Sequence, residues 1–196
     1  MSEFKVILLG YWGVGKTSLL NRYISDSFSE KYRPTVGFIL VPFSNSKNDQ
    51  KIRVQFWDTA GQEAYESLIA QFTRDCDICI LVCDVTNENS FKKMKSSLDT
   101  LWENSPDARI FVVGNKVDME ERTVITVSDL ERFISQSEKE RTNQIIGPFL
   151  TSAETGEGIT ELFTRVVDTL WTFHNPVEVH EIAVHTKPAS RESCSC

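Results

Sequence analysis

No stretch of the 196 residues approaches the ~18 consecutive apolar side chains that a membrane-crossing helix needs. The opening Met1-Ser2-Glu3-Phe4-Lys5 also lacks the basic flank of a secretory leader. Synthesis and residence in the cytosol are therefore expected. Basic residues are outnumbered, 21 against 28, for a formal charge of −7. That balance speaks against non-specific nucleic-acid binding, which depends on a basic face, so no nucleic-acid partner is expected. Histidine is scarce: the three, at positions 174, 180 and 185, come late and have no paired cysteines nearby, so they read as tail residues rather than metal ligands. The five cysteines are an odd number, split between Cys76, Cys79 and Cys83 and the terminal Cys194 and Cys196. A disulfide framework is not expected from that number and placement. Cys76 and Cys79 are expected on opposite faces of a strand, unable to share a tetrahedral metal, and with Cys83 they read as small buried hydrophobes. No internal repeat is visible.

The chain does have the makings of one ordinary core, with 40% hydrophobic and 25% charged residues. Its length suits one domain plus a tail. Short β-rich runs alternate with longer helical patterns, the signature of a parallel sheet flanked by helices. Strands are expected over 4–9, 39–43, 52–57, 78–83, 110–113 and 145–150. Polar residues 44–50 read as a hairpin connection, making the second and third strands antiparallel and leaving one antiparallel edge on a mostly parallel six-stranded sheet. Gly147-Pro148 leaves the ends of the last strand open, because proline removes a ladder donor. About five helices are expected, over 16–25, 66–74, 89–104, 128–137 and 158–173. The last has Ile159, Leu162, Phe163, Val166, Val167, Leu170 and Trp171 along one stripe. Asn175-Pro176 blocks its continuation. The division expected is a domain over 1–174 and a flexible tail over 175–196.

Directly after the first strand comes Gly10-Tyr11-Trp12-Gly13-Val14-Gly15-Lys16-Thr17, which fits G-x-x-x-x-G-K-[ST] and is followed by Ser18. Glycines let backbone N–H groups curl around phosphate oxygens, the helix N-terminus adds a favourable dipole, and Lys16 adds a mobile charge. Candidate phosphate-binding residues are Gly13, Val14, Gly15, Lys16, Thr17 and Ser18, with the Thr17 hydroxyl available to Mg²⁺. A second oxygen for that ion is expected from Asp58, at the end of the third strand in Trp57-Asp58-Thr59-Ala60-Gly61-Gln62-Glu63. There Gly61 lets a backbone N–H approach a γ-phosphate, and Gln62 can orient an attacking water. Asn115-Lys116-Val117-Asp118 follows another strand, where open α/β sheets place ligands. The Asp118 carboxylate can accept from both N1–H and the exocyclic amine of guanine, a pair that adenine does not offer. Together these residues describe binding and hydrolysis of a guanine nucleoside triphosphate.

In this order the motifs resemble those of the Ras-superfamily small GTPases, a P-loop NTPase fold, over residues 4–173. Within the superfamily, Arg53-Val54-Gln55-Phe56-Trp57, Leu81-Val82-Cys83-Asp84-Val85-Thr86 and the ending Cys194-Ser195-Cys196 resemble Rabs. The resemblance implies that Thr35 joins Mg²⁺ and the γ-phosphate, that Phe28 packs on the guanine ring, and that Ser152 and Ala153 belong to a base-binding loop. It also implies catalytic parts for Gln62, Lys16 and Thr35. GTP and GDP are then the ligands, Mg²⁺ the cofactor, and slow hydrolysis of GTP to GDP and phosphate the reaction. The partners implied are effectors, an exchange factor, a GTPase-activating protein (GAP), a prenylation escort and a GDP-dissociation inhibitor. The chain itself would be a monomer working in vesicle trafficking on the cytoplasmic face of an endomembrane.

Two departures from the family pattern, and the ending of the chain, bear on these expectations. Trp12 stands where such chains carry a small residue, and its indole would either cover the γ-phosphate edge and slow hydrolysis or swing onto the surface and leave Gln62 unhindered. Phe38-Ile39-Leu40 replaces a small apolar residue, an acid and an aromatic after Gly37. Leu40, Trp57 and Phe72 would still form an apolar cluster offered to partners. At the terminus, Ser193 occupies the fourth position from the end, so C-a-a-X is absent and double geranylgeranylation of Cys194 and Cys196 is expected. From 175 onward two basic residues face three acids, so no polybasic anchor supports the lipids.

Overall fold

The computed structural model describes residues 2–29, 35–47, 49–60, 70–139 and 144–174. Six strands form one sheet: β1 (Glu3–Leu9), β2 (Phe38–Lys47), β3 (Gln50–Thr59), β4 (Ile78–Asp84), β5 (Arg109–Asn115) and β6 (Ile145–Thr151). Their order is β2-β3-β1-β4-β5-β6, and only the β2–β3 pair is antiparallel. Four α-helices lie in the described residues: α1 (Lys16–Ser25), α2 (Glu88–Asn104), α3 (Val127–Glu138) and α4 (Ile159–His174). A 3-10 turn covers Glu120–Arg122. The helix expected over 66–74 falls mostly on 61–69, outside the described residues, although 70–72 are helical.

Alternation along the central strands divides the interior into two cores. Val6, Leu8, Ile78, Ile80, Val82, Phe111 and Val113 face α1 and α4. Ile7, Leu9, Cys79, Leu81, Cys83, Ile110 and Val112 face α2 and α3. Strands covered on both faces read as unbroken apolar runs, which is why β4 is buried at every position. On the first side Tyr23 of α1 stacks on Phe163 of α4 at 4.2 Å and 7°. Such a ring pair adds about 0.5–1.5 kcal/mol beyond its burial and holds the two helices in register.

Three expectations need correction. The hairpin connection is not 44–50: β2 and β3 stay paired to Lys47↔Gln50, so only two residues join them. Cys76 lies in the same core as Cys79 and Cys83, not opposite, because it precedes β4 and escapes the strand's alternation. Burial pushes the Cys76 and Cys83 thiols up to about 12 and the Cys79 thiol well above its ordinary value, and no group of metal-ligating side chains occurs among the described residues. His174 is not a tail residue but the last residue of α4, where Nδ1 lies 2.7 Å from the Ser2 hydroxyl. Pro148 is accommodated because β6 is an edge strand, with a register shift opposite Val112.

Candidate nucleotide site

The C-terminal ends of β1, β3, β5 and β6 lie along one margin of the sheet, and the candidate residues cluster there. The loop leaving β1 returns into α1 through two glycines that no other residue could replace. A Cβ on Gly10, at φ +147, would stand 2.2 Å from the Val82 carbonyl, and one on Gly15, at φ +97, 2.5 Å from the Asn115 amide. This packing fixes the loop between β4 and β5 and aims the first N–H groups of α1 outward. Lys16 is buried, donating to the carbonyls of Gly10 at 2.8 Å and Tyr11 at 3.1 Å. An ammonium has three donors, so one remains for an anion in the loop.

Next to Lys16, three oxygens from distant parts of the chain meet. The Thr17 hydroxyl donates to Asp58 Oδ2 at 2.5 Å and lies 2.9 Å from the Thr35 hydroxyl. Asp58 is 1% exposed, and its Oδ1 has no hydrogen-bond partner among the described residues. Burial raises the Asp58 carboxyl above its ordinary value, opposed by Thr17, Lys16 and Thr35. A buried carboxylate oxygen left unsatisfied beside two hydroxyls is a donor set that suits a hard, oxygen-seeking cation such as Mg²⁺. Gly61 and Gln62 lie outside the described residues.

The expected base residues sit on the adjoining loops. Asn115 is buried and works inside the protein: its amide donates to the Val14 carbonyl at 2.8 Å, and its Oδ1 accepts from Thr151 at 3.1 Å. It therefore ties the phosphate cradle to β6. Lys116 takes a left-handed conformation, φ +69, held by its 2.7 Å ion pair with Asp84. For a non-glycine residue that geometry costs on the order of 1 kcal/mol, and such strain concentrates at working sites. Asp118 follows, partly exposed. Ser152 and Ala153 are buried in the turn after β6, and Phe28 is 37% exposed beyond α1. Trp12 is 48% exposed, its ring 5.7 Å from that of Tyr11.

A phosphate cradle, an oxygen cluster and a base loop along one sheet margin are the layout of a nucleotide-binding switch. The family model described as Ras family matches residues 5–172. The chain belongs to the Ras family. Membership carries guanine-nucleotide binding, a general requirement for Mg²⁺ and GTPase activity, and it brings the regulators and effectors typical of the family. Within this Ras-family fold, the sequence reading missed Thr151, Asp84 and Arg22 as supports of the site. Asp84 occurs in a quoted stretch but without a role, and Thr151 and Arg22 belong to no short motif. It also missed Phe38 as a member of the apolar cluster: the ring stacks on Trp57 at 4.7 Å and meets Phe72 at 4.8 Å, while Leu40 pairs with Trp57 across the β2–β3 ladder.

Burial of the cradle lysine has a pH consequence. It pulls the Lys16 ammonium from 10.5 down to about 8, with Asp58 opposing. With no phosphate beside it Lys16 is expected to lose its proton near pH 8, and an adjacent phosphate would restore it. Nucleotide binding at pH 8.5 is expected to take up protons, and affinity to fall by up to ~10-fold per pH unit above 8. Titration calorimetry in buffers of different ionisation enthalpy measures this directly. Uptake at pH 8.5 that vanishes at 6.5 is the expected pattern; identical heats across buffers at both values would contradict it.

Proposed function

We propose that this Ras-family chain is a Rab-type switch that binds GTP and GDP with Mg²⁺, hydrolyses GTP slowly and recruits effectors to membranes in vesicle trafficking. The observation that carries the reading is the meeting of Thr17, Thr35 and Asp58 beside Lys16. Thr35 comes from the segment before β2, so a ligand that engages these oxygens also orders a surface loop, and loss of the γ-phosphate releases it. A Mg²⁺ held by the oxygens of Thr17, Thr35 and Asp58 would neutralise charge on the transferred phosphoryl group. Lys16 and the N–H groups of 13–18 position the phosphates, Gln62 orients the attacking water beside Gly61, and Asp118, Lys116, Phe28, Ser152 and Ala153 hold the base.

The Rab assignment rests on residues 53–57 and 81–86 and on Cys194-Ser195-Cys196. We assign 1–174 to the nucleotide domain and 175–196 to a tail that, as coil, spans about 25 Å root-mean-square. One lipid gives marginal membrane binding and two give a stable anchor, so both thiols are needed where no basic patch assists. The anchored chain works on the cytoplasmic face of an endomembrane and exchanges with a soluble pool through an escort and a dissociation inhibitor. Labelled isoprenoid is expected to enter the wild type and to be absent from the Cys194→Ser, Cys196→Ser double variant, which stays cytosolic. Equal incorporation into both would overturn the lipid reading.

One observation favours a second reading, a GTP-bound scaffold with negligible hydrolysis. Trp12 places a half-exposed indole on the phosphate cradle, where a GAP must reach.

A further inference from the structure

Arg22 stands on α1 six residues beyond Lys16, and its guanidinium crosses to the turn after β6. Nε donates to the Ala153 carbonyl at 2.9 Å and Nη2 to the Glu154 carbonyl at 2.7 Å. Nη1 donates to the Asp26 carbonyl at 3.2 Å and to its carboxylate at 3.1 Å. The Arg22 side chain is 17% exposed against 92% for Asp26. The ion pair is thus a surface contact of little value, and of the two bonds that cross to the turn, the one to Ala153 is part-buried and the one to Glu154 exposed. A planar guanidinium suits two successive carbonyls in a way that the single ammonium of lysine does not.

What Arg22 grips lies at the nucleotide site. The 152–158 turn begins at Thr151, which is paired with Asn115 in the sheet and hydrogen-bonded to its side chain. Asn115 in turn holds the Val14 carbonyl of the cradle. The turn is closed on itself by Ser152 N–H to Glu157, Gly156 N–H to Ser152, and Thr155 N–H to the Ser152 hydroxyl. These bonds make it one closed unit, and Arg22 fastens that unit to the helix that starts with Lys16 and Thr17.

We propose that Arg22 is a positioning residue for nucleotide retention: by bracing the 152–158 turn against α1, it keeps the base end of the site closed and sets how slowly a guanine nucleotide leaves. The proposal rests on the guanine-nucleotide reading above and adds to it a residue that touches neither base nor phosphate.

The test follows release of fluorescently labelled GDP from the full-length wild type, Arg22→Ala and Arg22→Lys, with Mg²⁺ and after chelation. Losing two charge-assisted hydrogen bonds is expected to speed release ~10-fold in Arg22→Ala, with Arg22→Lys intermediate at ~3-fold. Chelation loosens the phosphate end, so a defect confined to the base end keeps the same factor with and without Mg²⁺. Release by Arg22→Ala within twofold of wild type, or an acceleration that disappears on chelation, would overturn the proposal. Should circular dichroism show Arg22→Ala unfolded, Arg22→Lys decides by the same comparison, an unchanged rate overturning it. A wild type that fails to bind GDP defeats the underlying reading instead, whereas a wild type that binds and an Arg22 variant that releases normally defeats only this one.

Discussion

Asp118→Asn is expected to exchange the base preference of the site, lowering affinity for GDP by about 10²–10⁴ and conferring affinity for the xanthine nucleotide. The chemistry follows from donors and acceptors. A carboxylate accepts from both N1–H and the exocyclic amine of guanine, each a charge-assisted bond of about 1.5–3 kcal/mol. An asparagine keeps one acceptor but turns a donor towards the amine, so one bond is lost and two donors face each other. Xanthine has a carbonyl in place of that amine and matches the new pair. Asp118 lies in the loop after β5, three residues from Asn115, and Val117 N–H donates to the Thr151 carbonyl at 3.2 Å. That bond anchors the loop independently of the Asp118 side chain, so the substitution leaves its support in place. Competition of labelled GDP by unlabelled GDP and XDP reads the exchange. A variant that still prefers GDP over XDP by more than tenfold would show that Asp118 does not address the base.

The second large effect is expected at Trp12. An arginine finger supplied by a GAP accelerates hydrolysis ~10³–10⁵-fold, and it must enter beside the phosphate loop. Trp12 is 48% exposed on that loop and lies against Tyr11. In single-turnover hydrolysis, Trp12→Gly is expected to respond to a Rab-type GAP catalytic domain with a gain at least tenfold larger than the wild type shows. The GAP-free rates should differ much less, since no finger has to pass the indole in intrinsic hydrolysis. Equal stimulation of the two proteins would mean that the indole stands clear of the entering finger, and the scaffold reading would fall with it.

The residues that could be found in the sequence are those whose chemistry is local. The cradle from Gly10 to Thr17 is contiguous, Asp58 is the last residue but one of its strand and Asn115 the last of its own, and the two-faced burial of β4 appears as an uninterrupted apolar run. The hairpin was misjudged because Ser44, Ser46 and Lys47 lie exposed on an edge strand. There the ladder is held by backbone hydrogen bonds that leave no apolar alternation to read. Arg22 was invisible for a different reason: its partners lie 131 and 132 residues away and are main-chain carbonyls, which any sequence could supply. Phe38 was noted as a departure from the family pattern. Its stacking on Trp57 depends on the β2–β3 register, in which Phe38 pairs with Thr59 and Leu40 with Trp57.

Binding of labelled GDP and labelled ADP to the full-length chain, with and without Mg²⁺, tests the central claim most directly. A guanine-specific switch built on Thr17, Thr35, Asp58 and Asp118 predicts tight GDP binding that weakens at least tenfold on chelation, and no measurable ADP binding. Equal affinity for the two nucleotides, or GDP binding indifferent to Mg²⁺, would contradict the account.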